Sequence, residues 1–206
     1  MFINRPATRR LALTVTTGAG ALALLTACGN TNDMATGLIN GTSAPAASPS
    51  QRSSAPFNNT DVMFAQMMIE HHKQAVDMAN LAETRAKNPE VKDLAARIKA
   101  AQEPEIATMT GWLSEWGKPA APSGGEEHSM PGMMTGEDMK KLQAAEGTEF
   151  DRMFLEMMTA HHRGAIKMAK MEQARGVNPQ TKELVKTIET TQQTEIEEMQ
   201  KLLDQL

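Results

Sequence analysis

The sequence predicts an all-α protein, a four-helix bundle assembled from two repeated helical hairpins with a long crossover between them. Three observations point there. First, residues 61–113 repeat as residues 151–203 at a constant offset of 90, with 21 of 53 positions identical and no gap. Second, each repeat is divided by an Asn-Pro pair, Asn88-Pro89 and Asn178-Pro179. Asparagine is a strong N-cap, and proline at the first helical position loses only an N–H that has no intrahelical partner. Third, apolar residues recur at helical spacing along both arms of each repeat. Short turns within the repeats and a longer connection between them match the one-crossover topology of ferritin-like bundles.

In chain order, Arg5, Arg9 and Arg10 precede an apolar stretch, Leu11 to Leu25, that ends in Leu25-Thr26-Ala27-Cys28. A basic start, a short apolar run and small residues before a cysteine read as a lipoprotein signal peptide over residues 1–27, with Cys28 the lipidated residue. Thr8-Arg9-Arg10 leaves the choice between Sec and Tat export open. Cys28 is the only cysteine, which excludes a disulfide framework and a multi-thiolate metal site. Residues 28–57 are rich in Ser, Thr, Ala, Pro, Asn and Gly. They carry too little apolar surface to offset ordering entropy and read as a disordered tether. The domain proper is expected over 58–206. Removing residues 1–27 removes three arginines and no acid, leaving 18 basic against 25 acidic side chains, a net charge of −7. That balance argues against nucleic acid as a partner.

Helices are expected over residues 58–87, 89–116, 150–176 and 179–205, with a short helix near 136–145 in the crossover. Gly176 suits the close of its arm. Placed at about 100° per residue, Phe64, Met68, His71, Ala75, Met78 and Ala82 share the inward face of the first arm, and His72 falls at its rim. On the second arm Gln102 and Glu105 lie among Val91, Leu94, Ile98, Met109 and Trp112. A buried glutamate needs a partner. In a hairpin, positions equidistant from the turn lie at one height. That rule sets His71 opposite Glu105 and Met67 opposite Met109, and in the second repeat His161 opposite Glu195 and Met157 opposite Met199.

Duplication retains four of five histidines and ten of 17 methionines. Imidazole suits both copper oxidation states, and thioethers favour Cu(I). Met67 and Met68 stand one turn before His71 and His72, as do Met157 and Met158 before His161 and His162. Between the repeats, His128, Met130, Met133 and Met134 form a second cluster in a Gly/Pro-containing loop where no helical core demands methionine. The candidate metal set is therefore His71, His72, His161, His162, Met67, Met68, Met157, Met158, Met109, Met199, Glu105, Glu195, His128, Met130, Met133 and Met134. Competing assignments are weaker. The Glu-x-x-His pairs of di-iron bundles are absent, as are the His-Glu-x-x-His zinc motif, a phosphate-binding glycine loop and an activated nucleophile. No catalytic constellation is evident. A methionine-rich interaction module that binds a partner protein without metal is the main alternative, and oxidation of bound Cu(I) is a third.

The motif Asp-x-x-Phe-x-x-x-Met-x-x-His-His at 61–72, the Met-Pro-Gly-Met-Met loop at 130–134 and the second Met-x-x-His-His at 158–162 resemble the bacterial domain of unknown function 305 family. The resemblance covers residues 57–206. It implies a ferritin-like helical bundle, copper binding or copper tolerance in some members, and a site role for His71, His72, His161, His162, Met130, Met133 and Met134. The expectation is an exported copper-binding lipoprotein at the outer face of the cytoplasmic membrane. It would buffer copper or pass it to a copper transporter or oxidase.

Overall fold

The computed structural model describes residues 56–121 and 130–206. Helix α1 spans Asn59–Arg85, α2 Pro89–Glu115, α3 Gly136–Ala144, α4 Gly147–Arg175 and α5 Pro179–Leu203. The signal peptide, the tether up to residue 55, Cys28 and His128 lie outside the described residues. Among those described, no helix is long and apolar enough to cross a membrane.

Local sequence accounts for the boundaries. Asn58 caps α1 in a reciprocal box with Asp61, and Thr135 does the same for α3 with Asp138. Asn88 and Asn178 cap α2 and α5 ahead of their prolines. Helix α4 has no side-chain cap. It starts three residues earlier than expected, where Gly147 at φ 67° lets the chain reverse directly out of α3. Gly176 ends α4 with φ −66°, not in the left-handed region. Its lack of a side chain makes room instead, because a Cβ would stand 1.9 Å from the Glu172 carboxyl.

Helices α1 and α2 form one hairpin and α4 and α5 the other, and the hairpins meet mainly through α1 and α4. An exposed ion pair between Arg97 and Glu198 adds a link from α2 to α5. The hairpins also finish each other's turns. Asp61 accepts hydrogen bonds from the backbone N–H groups of Val177 and Asn178 at 3.1 and 2.9 Å. Its repeat mate Asp151 accepts from Lys87 and Asn88 at 3.0 and 2.9 Å. Amides that no helix can satisfy are thus paired with a carboxylate from the other repeat.

The apolar core forms two clusters. One gathers Phe64, Met68, Met109, Met168, Val185 and Ile188. The other gathers Met78, Leu94, Leu142, Phe150, Met158 and Met199. Neither contains the histidines.

Candidate metal centre

All four repeat histidines are fully buried, each with no exposed surface. His71 and His161, on the facing helices α1 and α4, lie ring to ring with centroids 3.7 Å apart and planes tilted by 37°. His72 and His162 turn the other way, each toward the second arm of its own hairpin. His72 Nε2 is 2.7 Å from Glu105 Oε2, and His162 Nε2 is 2.6 Å from Glu195 Oε2.

Two sequence expectations are corrected here. The glutamate partners are His72 and His162, not His71 and His161, so the register across each hairpin is one residue off. The second histidine of each pair is also interior, not at a rim. Both corrections have one cause. A helix packed between two neighbours buries two faces, and consecutive residues differ by about 100° around the axis. On α1, residue 72 addresses α2 and residue 71 addresses α4. A projection that assumed one inward direction placed only residue 71 inside.

The hydrogen bonds fix the ring chemistry. A carboxylate only accepts, so the Nε2–H groups of His72 and His162 donate to their glutamates. His71 Nε2 donates to the Pro131 carbonyl at 3.0 Å. That places a proton on Nε2 of all three rings. In each ring Nδ1 is buried and without a protein partner, and in His161 both nitrogens are. Burial depresses the His71 pKa to about 3, against the smaller opposing effect of the Pro131 bond and with added repulsion from His72 and His162. His161 is held well below the usual histidine range by burial and then by the other three imidazoles. These two rings are neutral at any ordinary pH, which is the form that ligates metal.

Gln102 and Gln192, repeat mates, are also buried, and neither side-chain amide is fully paired. Each buried polar group without a partner costs about 1–3 kcal/mol by protein mutational measurement. A metal ion that accepts the free Nδ1 lone pairs would recover part of that cost. Glutamate on one imidazole nitrogen with the other free is the arrangement that orients a histidine ligand. Among the described residues, no three His, Cys, Asp or Glu side chains converge closely enough to hold an ion by themselves.

Methionines border the layer on both sides. Met68 and Met109 are fully buried in one apolar cluster, and Met158 and Met199 in the other. The Thr159 hydroxyl donates to Met199 sulfur at 3.6 Å. Met67 and Met157 are only partly buried. Met67 packs beside the first cluster, and Met157 beside the second.

The Met130–Met134 loop departs from expectation as well. It is partly buried and docked, not free of the helices. Met134 packs against the second cluster. Gln74 on α1 grips the loop twice, donating to the Met134 carbonyl at 2.9 Å and accepting from its N–H at 2.7 Å. On α4, Gly164 admits the loop backbone so closely that a Cβ there would lie 1.9 Å from the Pro131 carbonyl oxygen. Gln74 and Gly164 occupy the same repeat position, two residues after the double histidine. The sequence reading missed both. Their signal is a difference between the repeats, Gln at 74 against Gly at 164, and not an identity.

Comparison with known proteins adds the family. The model of the family described as "Domain of unknown function (DUF305)" matches residues 61–203. Among solved structures, a putative secreted DUF305 protein from Streptomyces coelicolor is 35% identical, with TM-score 0.67, covering 71% of this chain and 93% of that one. A DUF305 fragment from Deinococcus radiodurans is 33% identical, with TM-score 0.66, covering 73% and 99%. CopM in its Cu(I)-bound form is 32% identical, with TM-score 0.61, covering 70% and 96%, and its Cu(II)-bound form is 33% identical with the same TM-score. A search of curated proteins finds no match. Repeat, helical architecture and family match agree, and the chain belongs to the DUF305 family.

Proposed function

We propose that this protein binds copper outside the cytoplasm, at the histidine layer and its bordering methionines, and buffers the ion or hands it on. One observation carries the reading. Three buried imidazoles have Nε2–H committed to an oxygen and Nδ1 aimed into the interior without a partner. Burial keeps these nitrogens from bulk solvent, and no protein group takes them. Nitrogen donors suit Cu(II), and thioethers one helical turn away suit Cu(I), so one layer serves either oxidation state by exchanging ligands. Support comes from the likeness to CopM, whose structures include Cu(I)-bound and Cu(II)-bound forms.

Extracytoplasmic placement rests on the signal-like start of the sequence and on the likeness to a putative secreted protein. In this reading Cys28 carries a lipid anchor to the cytoplasmic membrane, residues 28–57 act as the tether, and a copper transporter or oxidase receives the ion. Met130, Met133 and Met134, in the loop whose Pro131 carbonyl accepts from His71, form the entry side of the centre in this reading, with His128 preceding them in the sequence. The test is a Cu(II) titration followed by EPR, together with Cu(I) competition against a colorimetric chelator. Wild type should give nitrogen hyperfine structure and outcompete a weak chelator. The variant H71A/H161A, which leaves His72 and His162 in place, should weaken Cu(II) binding and reduce the nitrogen hyperfine structure. A wild-type protein that takes up neither ion overturns the proposal.

A further inference from the structure

The pseudo-symmetry of the two repeats is broken at one place that the histidine layer does not explain. The two ends of the α1–α4 contact are repeat mates. At one end, α3 of the crossover packs against both helices. Its Leu142 is fully buried in the cluster that holds Met78, with Met153, Met157 and Leu81 packed around it. At the other end a groove is open, with a volume of about 170 Å³. Its lining includes Met63 and Met67 of α1 facing Met168 and Met171 of α4, with Phe64 and Glu172. Three of these methionines are mates of Met153, Met157 and Met78. Met171 and Glu172 replace Leu81 and Ala82 of the covered end.

Exposure separates these methionines from core filling. Met63 is 56% exposed and Met171 42% exposed, two of only three large apolar side chains so exposed among the described residues. Met67 and Met168 sit beneath them at helical spacing, one turn along each helix. A thioether gains nothing from packing when half of it faces water, whereas a flexible, soft sulfur donor at the mouth of a groove can close on an ion.

We propose that this open groove is a second metal site, built from the thioethers of Met63, Met67, Met168 and Met171 and selective for soft monovalent ions, Cu(I) or Ag(I). Four thioethers without an imidazole favour the soft monovalent ion over Cu(II), so the set discriminates between oxidation states where the histidine layer does not. It lies toward the N-terminus of α1 and the C-terminus of α4, apart from the docked loop.

The experiment uses the full chain with methionines labelled at the methyl carbon. Ag(I), a redox-inert stand-in for Cu(I), should shift the methyl resonances of Met63 and Met171, and Cu(II) should leave them in place. The variant M63L/M171L changes exposed positions and keeps their bulk. It should bind about one equivalent less Cu(I) in chelator competition, because two of four sulfur ligands are gone, with Cu(II) uptake unchanged. Silent Met63 and Met171 methyls, or an unchanged Cu(I) stoichiometry in the variant, overturn the site. If the variant misfolds, the wild-type spectra decide alone. The outcome is separable from that for the histidine layer. Cu(II) uptake with silent groove methyls ends this proposal only, whereas the absence of both ions from the histidine layer ends the earlier one.

Discussion

Gly164→Ala is the smallest change that should unseat the methionine loop. The added Cβ would stand 1.9 Å from the Pro131 carbonyl oxygen, 2.4 Å from its carbon and 2.8 Å from Gly132 Cα, all backbone atoms that cannot rotate away. Restoring ordinary contact at about 3.4 Å requires the loop to retreat by about 1.5 Å. That retreat stretches the 3.0 Å His71–Pro131 bond past any useful length and strains both Gln74–Met134 bonds. Three bonds at about 1 kcal/mol each, less about 1 kcal/mol gained by alanine in a helix, leave a net loss of roughly 2 kcal/mol. Native-state hydrogen exchange reads the event locally. Protection of the Met134 amide, now bonded to Gln74, should fall by about 10- to 100-fold, since each 1.4 kcal/mol is a factor of ten. Gly111→Ala is the control. It sits in α2 with nothing within 4 Å of its added methyl, so it should stabilise the protein by up to about 1 kcal/mol. The reasoning is refuted if Gly164→Ala matches the control in melting temperature and leaves Met134 protection unchanged.

Glu105→Ala and Glu195→Ala should each destabilise the metal-free protein by about 1–3 kcal/mol, because each strands a buried imidazole N–H. Denaturant unfolding checks this, with Glu→Gln as the milder variant. His72→Ala and His162→Ala are likewise expected to be costly in stability, since both rings are interior. A melting temperature equal to wild type would contradict their burial. Changing Met130, Met133 and Met134 together to Leu should preserve the fold, because bulk is kept, and should weaken Cu(I) competition. Burial first, and then the neighbouring Asp61, raise the Glu172 pKa from 4.5 to about 8. Burial pushes Asp61 up too, but the Glu172 proton and the Asn58, Asn178 and Val177 amides outweigh it and hold Asp61 low. With the folded pKa above the unfolded one, the Glu172 contribution is complete below pH 4.5 and is lost as pH rises through about 8. Glu172→Gln should remove that decline and be the more stable protein at pH 9, by at most about 5 kcal/mol, which is the gap from 4.5 to about 8 at 1.36 kcal/mol per pH unit before solvent screening reduces it. An unchanged slope in urea unfolding against pH would overturn this.

Most of the architecture was legible because it is written in local signals. Asn88-Pro89 and Asn178-Pro179 mark turns through capping, and the 90-residue offset makes the second hairpin a copy of the first. The histidine partners were not legible to the same depth. Which of two adjacent residues meets a glutamate depends on how many neighbours the helix has, and an amphipathic pattern gives only one direction. His71 and His72 are both interior because α1 is flanked by α2 and by α4. The loop's seat was harder still. It rests on a carbonyl approaching Gly164 and on the reach of Gln74, tertiary contacts with no periodic trace in the sequence.

The reciprocal bonds of Asp61 and Asp151 have a consequence for what counts as a unit. Each hairpin lends a carboxylate to a turn 64 or 117 residues distant, so neither turn is complete until the halves have docked. Half of this chain, made alone, would hold two unpaired amides and an idle carboxylate at opposite ends. A second copy, related by a two-fold axis, would satisfy all of them at once. Viewed so, the protein is a homodimer whose subunits share one peptide chain. The linking segment then frees each half to differ, as Gln74 and Gly164 do, without giving up the exchange that holds the halves together.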